Sequence, residues 1–352
     1  MKILITGGAG FVGSNLARLF VNNLRAKVTV LDNLKRRGSE INVENFKKLG
    51  IDFCHGDIRV PSDLENTGEH FDLLVDASAE PSVLAGVNGS ADYVLQTNLV
   101  GTINCLEFAR KRAGAFLFLS TSRVYSIEPL KAINLIEAKT RFEIDENQTL
   151  PGVTPAGIAE AFPVNSSRSF YGASKLASEL IAQEYCANYK LPVMINRCGV
   201  IAGPGQFGKV DQGVFTLWVM NHVFGKPLKY TGFGGTGKQV RDLVHPLDLF
   251  SLINTQISQI SDWNGDVFNV GGGREISVSM QELTALCQEA TGKAVPITED
   301  KSTSSVDIPL YVSNTKKIQN TFNWRPKISA SELIRDIAKW VAENETKLKT
   351  LL

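Results

Sequence analysis

Short apolar runs alternate with amphipathic stretches from the N-terminus onward. KILITGG is followed by a helical pattern over Gly13–Asn23, then KVTVLDN, VENFKKLG and IDFCHGDIR. Compact apolar runs bounded by turn residues predict buried strands, and apolar positions spaced by three and four predict helices. Strand and helix in that rhythm predict a parallel sheet covered by helices. Further strands are expected at FDLLVDAS and AFLFLSTS, with a helix over Tyr93–Arg112 between them. VMINRCGVI reads as one more buried strand, preceded by a helix over Tyr171–Tyr189.

After Pro204 the rhythm loosens into Gly and Pro clusters, GPGQFG, GFGGTG and VGGG, which predicts a second lobe of loops and short elements. At roughly 150 residues per domain, 352 residues leave room for two such parts. The first is expected over 1–198 and the second over 199–352, with some segments of the second returning to the first. Residues 127–169 are irregular and include LPGVTPAG. A long excursion inside a compact domain reads as an insertion or a functional lid.

Composition narrows the classes. With 43% hydrophobic and 21% charged residues the chain can bury a core, and disorder or coiled coil is not expected. A formal net charge of +1 gives no reason to expect a nucleic acid or an anionic membrane as partner. No long apolar span or signal-like segment stands at the N-terminus, so the expectation is a cytoplasmic protein. The five cysteines are scattered without a CxxC and the four histidines form no HExxH, so neither a disulfide framework nor a metal site is expected.

The first turn carries chemistry. ITGGAGFVGSN places Gly7, Gly8, Gly10 and Gly13 between a strand and a helix. Glycine permits a tight turn and close approach of backbone N–H groups to a pyrophosphate at a helix N-terminus. Asp32 ends the next strand about 20 residues on, where a carboxylate accepts from a ribose hydroxyl. It would repel a 2′-phosphate and so favours NAD over NADP, although Lys35, Arg36 and Arg37 follow closely. The fold class expected is therefore α/β, a Rossmann-type doubly wound parallel sheet with a smaller C-terminal substrate-binding lobe.

LSTSRVYS follows a predicted strand, and FYGASK opens a predicted helix. Tyr171 and Lys175 are four residues apart and share one helical face. A free phenol titrates near about 10. A neighbouring ammonium and a cationic nicotinamide ring both favour the phenolate, which suits a tyrosine acid/base.

GGAGFVG, HGDIR, NLVGT at Asn98–Thr102, STSRVYS and YGASK together resemble the extended short-chain dehydrogenase/reductases, the family of nucleotide-sugar epimerases and dehydratases. The resemblance runs over essentially the whole chain, through RDLVHPLD, FNVGGG and NWRP. It implies Tyr171 as acid/base, Lys175 on the nicotinamide ribose, and Thr121 hydrogen-bonded to the sugar. Asp57 and Ile58 would lie near adenine. Further cofactor contacts are implied at Gly7, Gly10, Phe11, Val12, Gly13, Asp32, Asn33, Arg37, Ala77, Ser78, Ala79, Asn98, Ser120 and Cys198. Arg241 is implied at the substrate diphosphate. The family also implies tightly bound NAD and a homodimer built from two helices of each subunit, those of Tyr93–Arg112 and Tyr171–Tyr189.

The residues after Thr121 discriminate between family members. The sugar dehydratases carry Thr-Asp-Glu there, and here the residues are Ser122 and Arg123, which removes the acids that elimination needs. EAKTRF, QFGKVDQG and GTGKQVRDLVH resemble the branch that epimerises CDP-sugars at C2, which implies a CDP-sugar substrate. Glu80, Ser122, Arg123, Gln206, Asp211 and Gln212 join Arg241 as candidate substrate contacts, and Arg141 is a weaker one. Departures occur at Ser126, Val200 and Pro309, where the family usually carries Gly, Asn and Arg, and they leave the nucleotide and sugar open. Alternatives are a 4-epimerase, another extended family member, and a noncatalytic NAD-binding scaffold. GFGGTGK would fit a phosphate-binding loop of a nucleotide hydrolase, but Gln239 stands where the metal-holding hydroxyl belongs.

Overall fold

The computed structural model describes residues 1–351 apart from 69, 88 and 209–212. The chain divides into two compact units, each discontinuous in sequence. The first comprises Met1–Val124, Ser169–Arg197 and Phe250–Phe268; the second comprises Tyr125–Arg168, Cys198–Leu249 and Asn269–Leu352.

The first unit is organised by a seven-stranded sheet. Its strands are β1 (Lys2–Thr6), β2 (Lys27–Asp32), β3 (Asp52–His55), β4 (Leu73–Asp76), β5 (Phe116–Thr121), β6 (Val193–Cys198) and β7 (Asp266–Val270). They lie in the order β7-β6-β5-β4-β1-β2-β3. Pairings of β1 with β2 and β4, of β2 with β3, and of β4 with β5 are all parallel. The order reverses at β1, and β1 and β4 begin the two halves of a doubly wound sheet; ligands bind at such a switch point, beyond the strand carboxyl ends. The strands read as near-continuous apolar runs because helices cover both faces. Ile3, Leu4 and Ile5 are fully buried, as are Phe116, Leu117 and Phe118.

Helices α1 (Phe11–Leu24), α2 (Glu40–Leu49), α3 (Gly101–Arg112) and α4 (Phe170–Tyr189) lie in this unit. The helix expected over Tyr93–Arg112 is not uniform. It begins as α-helix at Asp92–Leu95, widens to a π-turn at Gln96–Val100, and resumes as α3. The wide turn brings Asn98 fully inside the protein. Ser169 caps α4 by accepting from the Gly172 amide at 3.2 Å.

VMINRCGVI, expected as one strand, breaks at Gly199. The Gly199 amide donates to Val270 O at 2.7 Å, and a Cβ there would meet Asp242 Oδ1 at 2.9 Å. The continuation Val200–Ile201 pairs with Val240–Val244, in a sheet that also contains Ser277–Ser279 and Leu310–Tyr311. Helices α5 (Val214–Phe224), α6 (Met280–Thr291) and α7 (Ala330–Glu343) share one core in the second unit, containing Phe215, Trp218, Leu283, Leu333 and Ile337. Capping boxes start α6 at Ser279/Glu282 and α7 at Ser329/Glu332. Phe215 and Trp218 are thus core residues of this unit.

Residues 127–169 hold a short helix, Ile127–Lys131, and two small hairpins, Leu135–Glu137 with Phe142–Ile144 and Val153–Thr154 with Gly157–Ile158. GFGGTGK forms a turn between the strands Leu228–Thr231 and Val240–Val244, with no helix after it. That context is not the strand-to-helix step a nucleotide hydrolase needs. No helix among the described residues is long and apolar enough to cross a membrane.

Candidate active site

The β1–α1 turn closes on itself. Gly7 has φ +64°, and the Gly10 amide donates to Gly7 O at 3.1 Å. A Cβ on Gly7 would sit 2.8 Å from Ala77 O, and one on Gly13 would sit 2.3 Å from Gly7 O, so neither position accepts a side chain. Gly10 caps α1 with no side chain. Phe11 and Val12 begin the helix, half-buried. This is the backbone cradle a pyrophosphate requires.

Asp32, at the end of β2, accepts from the Ala9 amide at 3.0 Å and from the Leu34 amide at 2.8 Å. Burial pushes its carboxyl above the ordinary value, against the pull of those backbone donors. One carboxylate therefore braces the glycine turn and stands at the strand end where a ribose hydroxyl would be read. Asn33 donates to Asp57 at 2.9 Å, and Arg59 grips the same carboxylate with Nε at 3.0 Å and its terminal nitrogen at 2.7 Å. Arg59 first, and Asn33 after it, hold the Asp57 carboxyl down at about 2. Ile58 is buried, and its carbonyl accepts from Asn104 at 2.9 Å. Arg37 is exposed. The glycine cradle and the two acids at the ends of β2 and β3 fit a dinucleotide.

The segment Ala77-Ser78-Ala79-Glu80 leaves β4. Asn98 holds it: its side chain accepts from the Glu80 amide at 2.8 Å and donates to Glu80 O at 3.1 Å and to the Ser174 hydroxyl at 3.2 Å. Ser178 donates to Asn98 O at 2.8 Å. The π-turn thus fastens the β4 loop to α4, one turn from Tyr171.

Thr121 ends β5, and its hydroxyl accepts from the Arg123 amide at 3.2 Å. Ser122 and Arg123 lie in a 3₁₀ turn, Ser122–Val124, against which α4 packs. Tyr171 sits in the first turn of α4, half-buried. Lys175 is 2% exposed; its ammonium lies 3.5 Å from Ser78 O and 4.4 Å from the centre of the Phe118 ring. The first unit therefore gathers the glycine turn, Asp32, Asp57, residues 77–80, Asn98, Thr121–Arg123, Tyr171 and Lys175.

The remaining candidates belong to the second unit. Cys198 is buried, and Gln206 donates to Ile201 O at 3.2 Å and accepts from Thr216 at 2.8 Å. Arg241 donates to Val240 O at 2.8 Å, to Asp307 at 3.0 Å and to Ile308 O at 2.8 Å. Arg141 is bound up with Glu143, Glu282 and Ser277. Asp211 and Gln212 lie outside the described residues.

Two polar clusters were not anticipated. Asp76, fully buried, accepts from Thr6 at 2.8 Å, Thr102 at 2.9 Å and the Ser78 amide at 3.2 Å, tying together the ends of β1 and β4 and the start of α3. Glu179, one turn beyond Lys175, accepts from Ser120 at 2.5 Å and from Arg197 of β6 at 2.7–3.1 Å. Their signal in the sequence was a polar residue at the end of an apolar strand, and a carboxylate four residues after a lysine.

Comparison with known proteins adds to this geometry. The chain is 30% identical to the CDP-paratose 2-epimerase of Salmonella typhi, over 97% of this chain and 99% of that protein. It is 28% identical to a dTDP-glucose 4,6-dehydratase of Salmonella typhimurium, over 98% and 93%. Among solved structures it resembles a double mutant of DesIV, a dTDP-glucose 4,6-dehydratase of Streptomyces venezuelae with NAD bound. That match has a TM-score of 0.80 and 27% identity over the whole of both chains. The model of the NAD dependent epimerase/dehydratase family matches residues 3–271, which span the glycine turn, the Thr121 strand end and the Tyr171 helix, and the chain belongs to that family as an NAD-dependent enzyme on a Rossmann-type frame.

Proposed function

We propose that this enzyme epimerises a nucleotide sugar at C2, with CDP-paratose and CDP-tyvelose as its substrate pair. The observation that carries the reading is the strand end after Thr121. The turn Ser122–Val124 contributes no carboxylate, so water elimination lacks the acid and base that the dehydratases place there, while Tyr171 and Lys175 remain for redox chemistry. Likeness to CDP-paratose 2-epimerase over nearly the whole of both chains supports it.

In this reading Gly7–Gly13 and the α1 N-terminus hold the pyrophosphate, Asp32 the adenosine ribose, Asp57 and Ile58 the adenine edge, and Lys175 the nicotinamide ribose. Bound tightly, NAD supplies the acceptor and then the donor of the hydride. Tyr171 Oη takes the proton of the C2 hydroxyl and later returns it, while the buried Lys175 ammonium favours the phenolate. Thr121 orients the sugar oxygen through its hydroxyl. The second unit binds the nucleotide sugar, with Arg241 on its diphosphate; Asp307 must yield for that contact to form. Two copies pair through the Asp92–Arg112 and Phe170–Tyr189 helices, the second of which leaves Leu180 57% and Phe170 44% exposed.

The test is to incubate the protein without added NAD with CDP-paratose, CDP-tyvelose, UDP-glucose and UDP-galactose, following each by proton NMR. Interconversion of the CDP-sugars alone, inverted at C2, is the expected result. Inversion of the UDP-hexoses at C4 would make it a 4-epimerase, and no change in any of the four would remove the C2 reading.

A further inference from the structure

Helix α4 meets strand β5 at two successive points. Phe118 and Ser120 are two residues apart on β5 and so face the same side, separated by about 6.6 Å along the strand. Lys175 and Glu179 are four residues apart on α4 and share a face, separated by about 6.0 Å along the helix. The helix returns against the strand, its last turn leading to Pro192 beside Phe116, so the two contacts cross and the side chains interlock. The Lys175 ammonium lies over the Phe118 ring, and the Ser120 hydroxyl donates to Glu179. Glu179 and Arg197 are 1% and 7% exposed, and Arg197 grips the carboxylate through Nε and a terminal nitrogen from the neighbouring strand.

A buried ion pair contributes little net stability compared with well-packed apolar residues of similar volume. Three polar groups from three elements nevertheless converge here, directly before Thr121 and one turn beyond Lys175. We infer that Ser120, Glu179 and Arg197, with Phe118, are positioning residues: they fix the register of α4 on β5, and with it the placement of Tyr171 and Lys175 relative to Thr121. A ring face and a carboxylate set one helical turn apart allow a single docking of the helix, since a slip by one residue would take Lys175 off the ring and Glu179 off Ser120 together. The inference rests on the catalytic roles proposed above for Thr121, Tyr171 and Lys175.

The test compares three forms of the full-length protein carrying its cofactor: wild type, Arg197→Lys, and the triple substitution Ser120→Ala/Glu179→Leu/Arg197→Met, which replaces the cluster by apolar groups without stranding a charge. Tyr171→Phe serves as control. The triple variant is expected to match wild type in urea midpoint. Its kcat on CDP-paratose should fall at least about tenfold with KM unchanged, and Arg197→Lys should fall between the two. Hydrogen exchange at the amides of residues 121–124, which needs no substrate, should quicken in the triple variant by a similar factor. A triple variant with wild-type exchange at those amides, or with wild-type turnover, would overturn the positioning role. Wild-type turnover by Tyr171→Phe would instead overturn the catalytic reading beneath it.

Discussion

In the sheet unit Asp57 lies beside a guanidinium, and its carboxyl is held at about 2; in the second unit Asp242 is walled off from water, and its carboxyl rises to about 6. The first acid stands at the open end of a strand and is gripped by side chains, Arg59 and Asn33. The second is wholly enclosed and accepts from two backbone amides, Ser313 at 3.1 Å and Gly273 at 3.2 Å. One region arranges charge where a ligand can be read. The other uses a carboxyl group to hold the segments at Gly273 and Ser313, just outside the strands that flank its own.

Four experiments bear on that contrast. The largest effect is expected at the sheet unit's helix. Tyr171→Phe should lower turnover by about 10²–10⁴-fold, the usual contribution of a general acid–base, while NAD stays bound, as read from the cofactor released on denaturation. Retained turnover would remove the catalytic role from this region.

Next comes Asp242. Its folded pKa lies above its unfolded one, so the native state binds the extra proton between them. Its contribution is fully present below the ordinary 3.8 and is lost as pH rises through about 6. The amount lost is on the order of 3 kcal/mol. Asp242→Asn keeps an oxygen for the two amides and should flatten this dependence, so its urea stability should gain on wild type between pH 4.5 and 7.5. Parallel curves for the two proteins would show that Asp242 does not titrate in that interval.

Gly13→Ala places a methyl 2.3 Å from Gly7 O. Overpacking of this kind costs about 1–3 kcal/mol. The expected readout is a lower melting temperature with weaker NADH binding. Unchanged cofactor affinity would dissociate the turn from the dinucleotide.

The smallest effect is expected at Asp57, whose sign is opposite to that of Asp242. Its folded pKa is depressed, so its contribution is present above the ordinary 3.8 and is lost as pH falls through about 2. The Arg59 partner is partly exposed to solvent, and such pairs are worth less than about 1 kcal/mol. Asp57→Asn should therefore change the urea midpoint little at pH 7 and not at all near pH 2. A loss above that amount at neutral pH would mean that solvent screens the pair less than its exposure implies.

The sheet unit was far more legible than the second. Strands β1, β2, β4 and β5 stand close to the apolar runs that predicted them, because a strand covered on both faces has to be largely apolar. Gly7, Gly13, Asp32, Tyr171 and Lys175 could be read from spacing, since a turn needs its glycines and a helix face needs its period of four. The break at Gly199 could not be read. VMINRCGVI reads as one run through that glycine, and its second part pairs instead with Val240–Val244, a segment far along the chain. The π-turn at Gln96–Val100 was hidden for another reason: its residues suit an ordinary helix.

Local features, then, are what the sequence determined unaided: the order of strands and helices, a glycine turn with an acid at the end of the next strand, and a tyrosine and a lysine on one helix. Those features depend on neighbours within one turn or one strand, so composition and spacing carry them. Tertiary structure decided where polar groups find partners. Arg197 reaches Glu179, Asn98 fastens the Glu80 loop, and Asp307 engages Arg241, each across a long stretch of chain. A buried donor or acceptor has to be satisfied by whatever group the fold brings beside it. That identity is a property of the folded chain, and no local pattern records it.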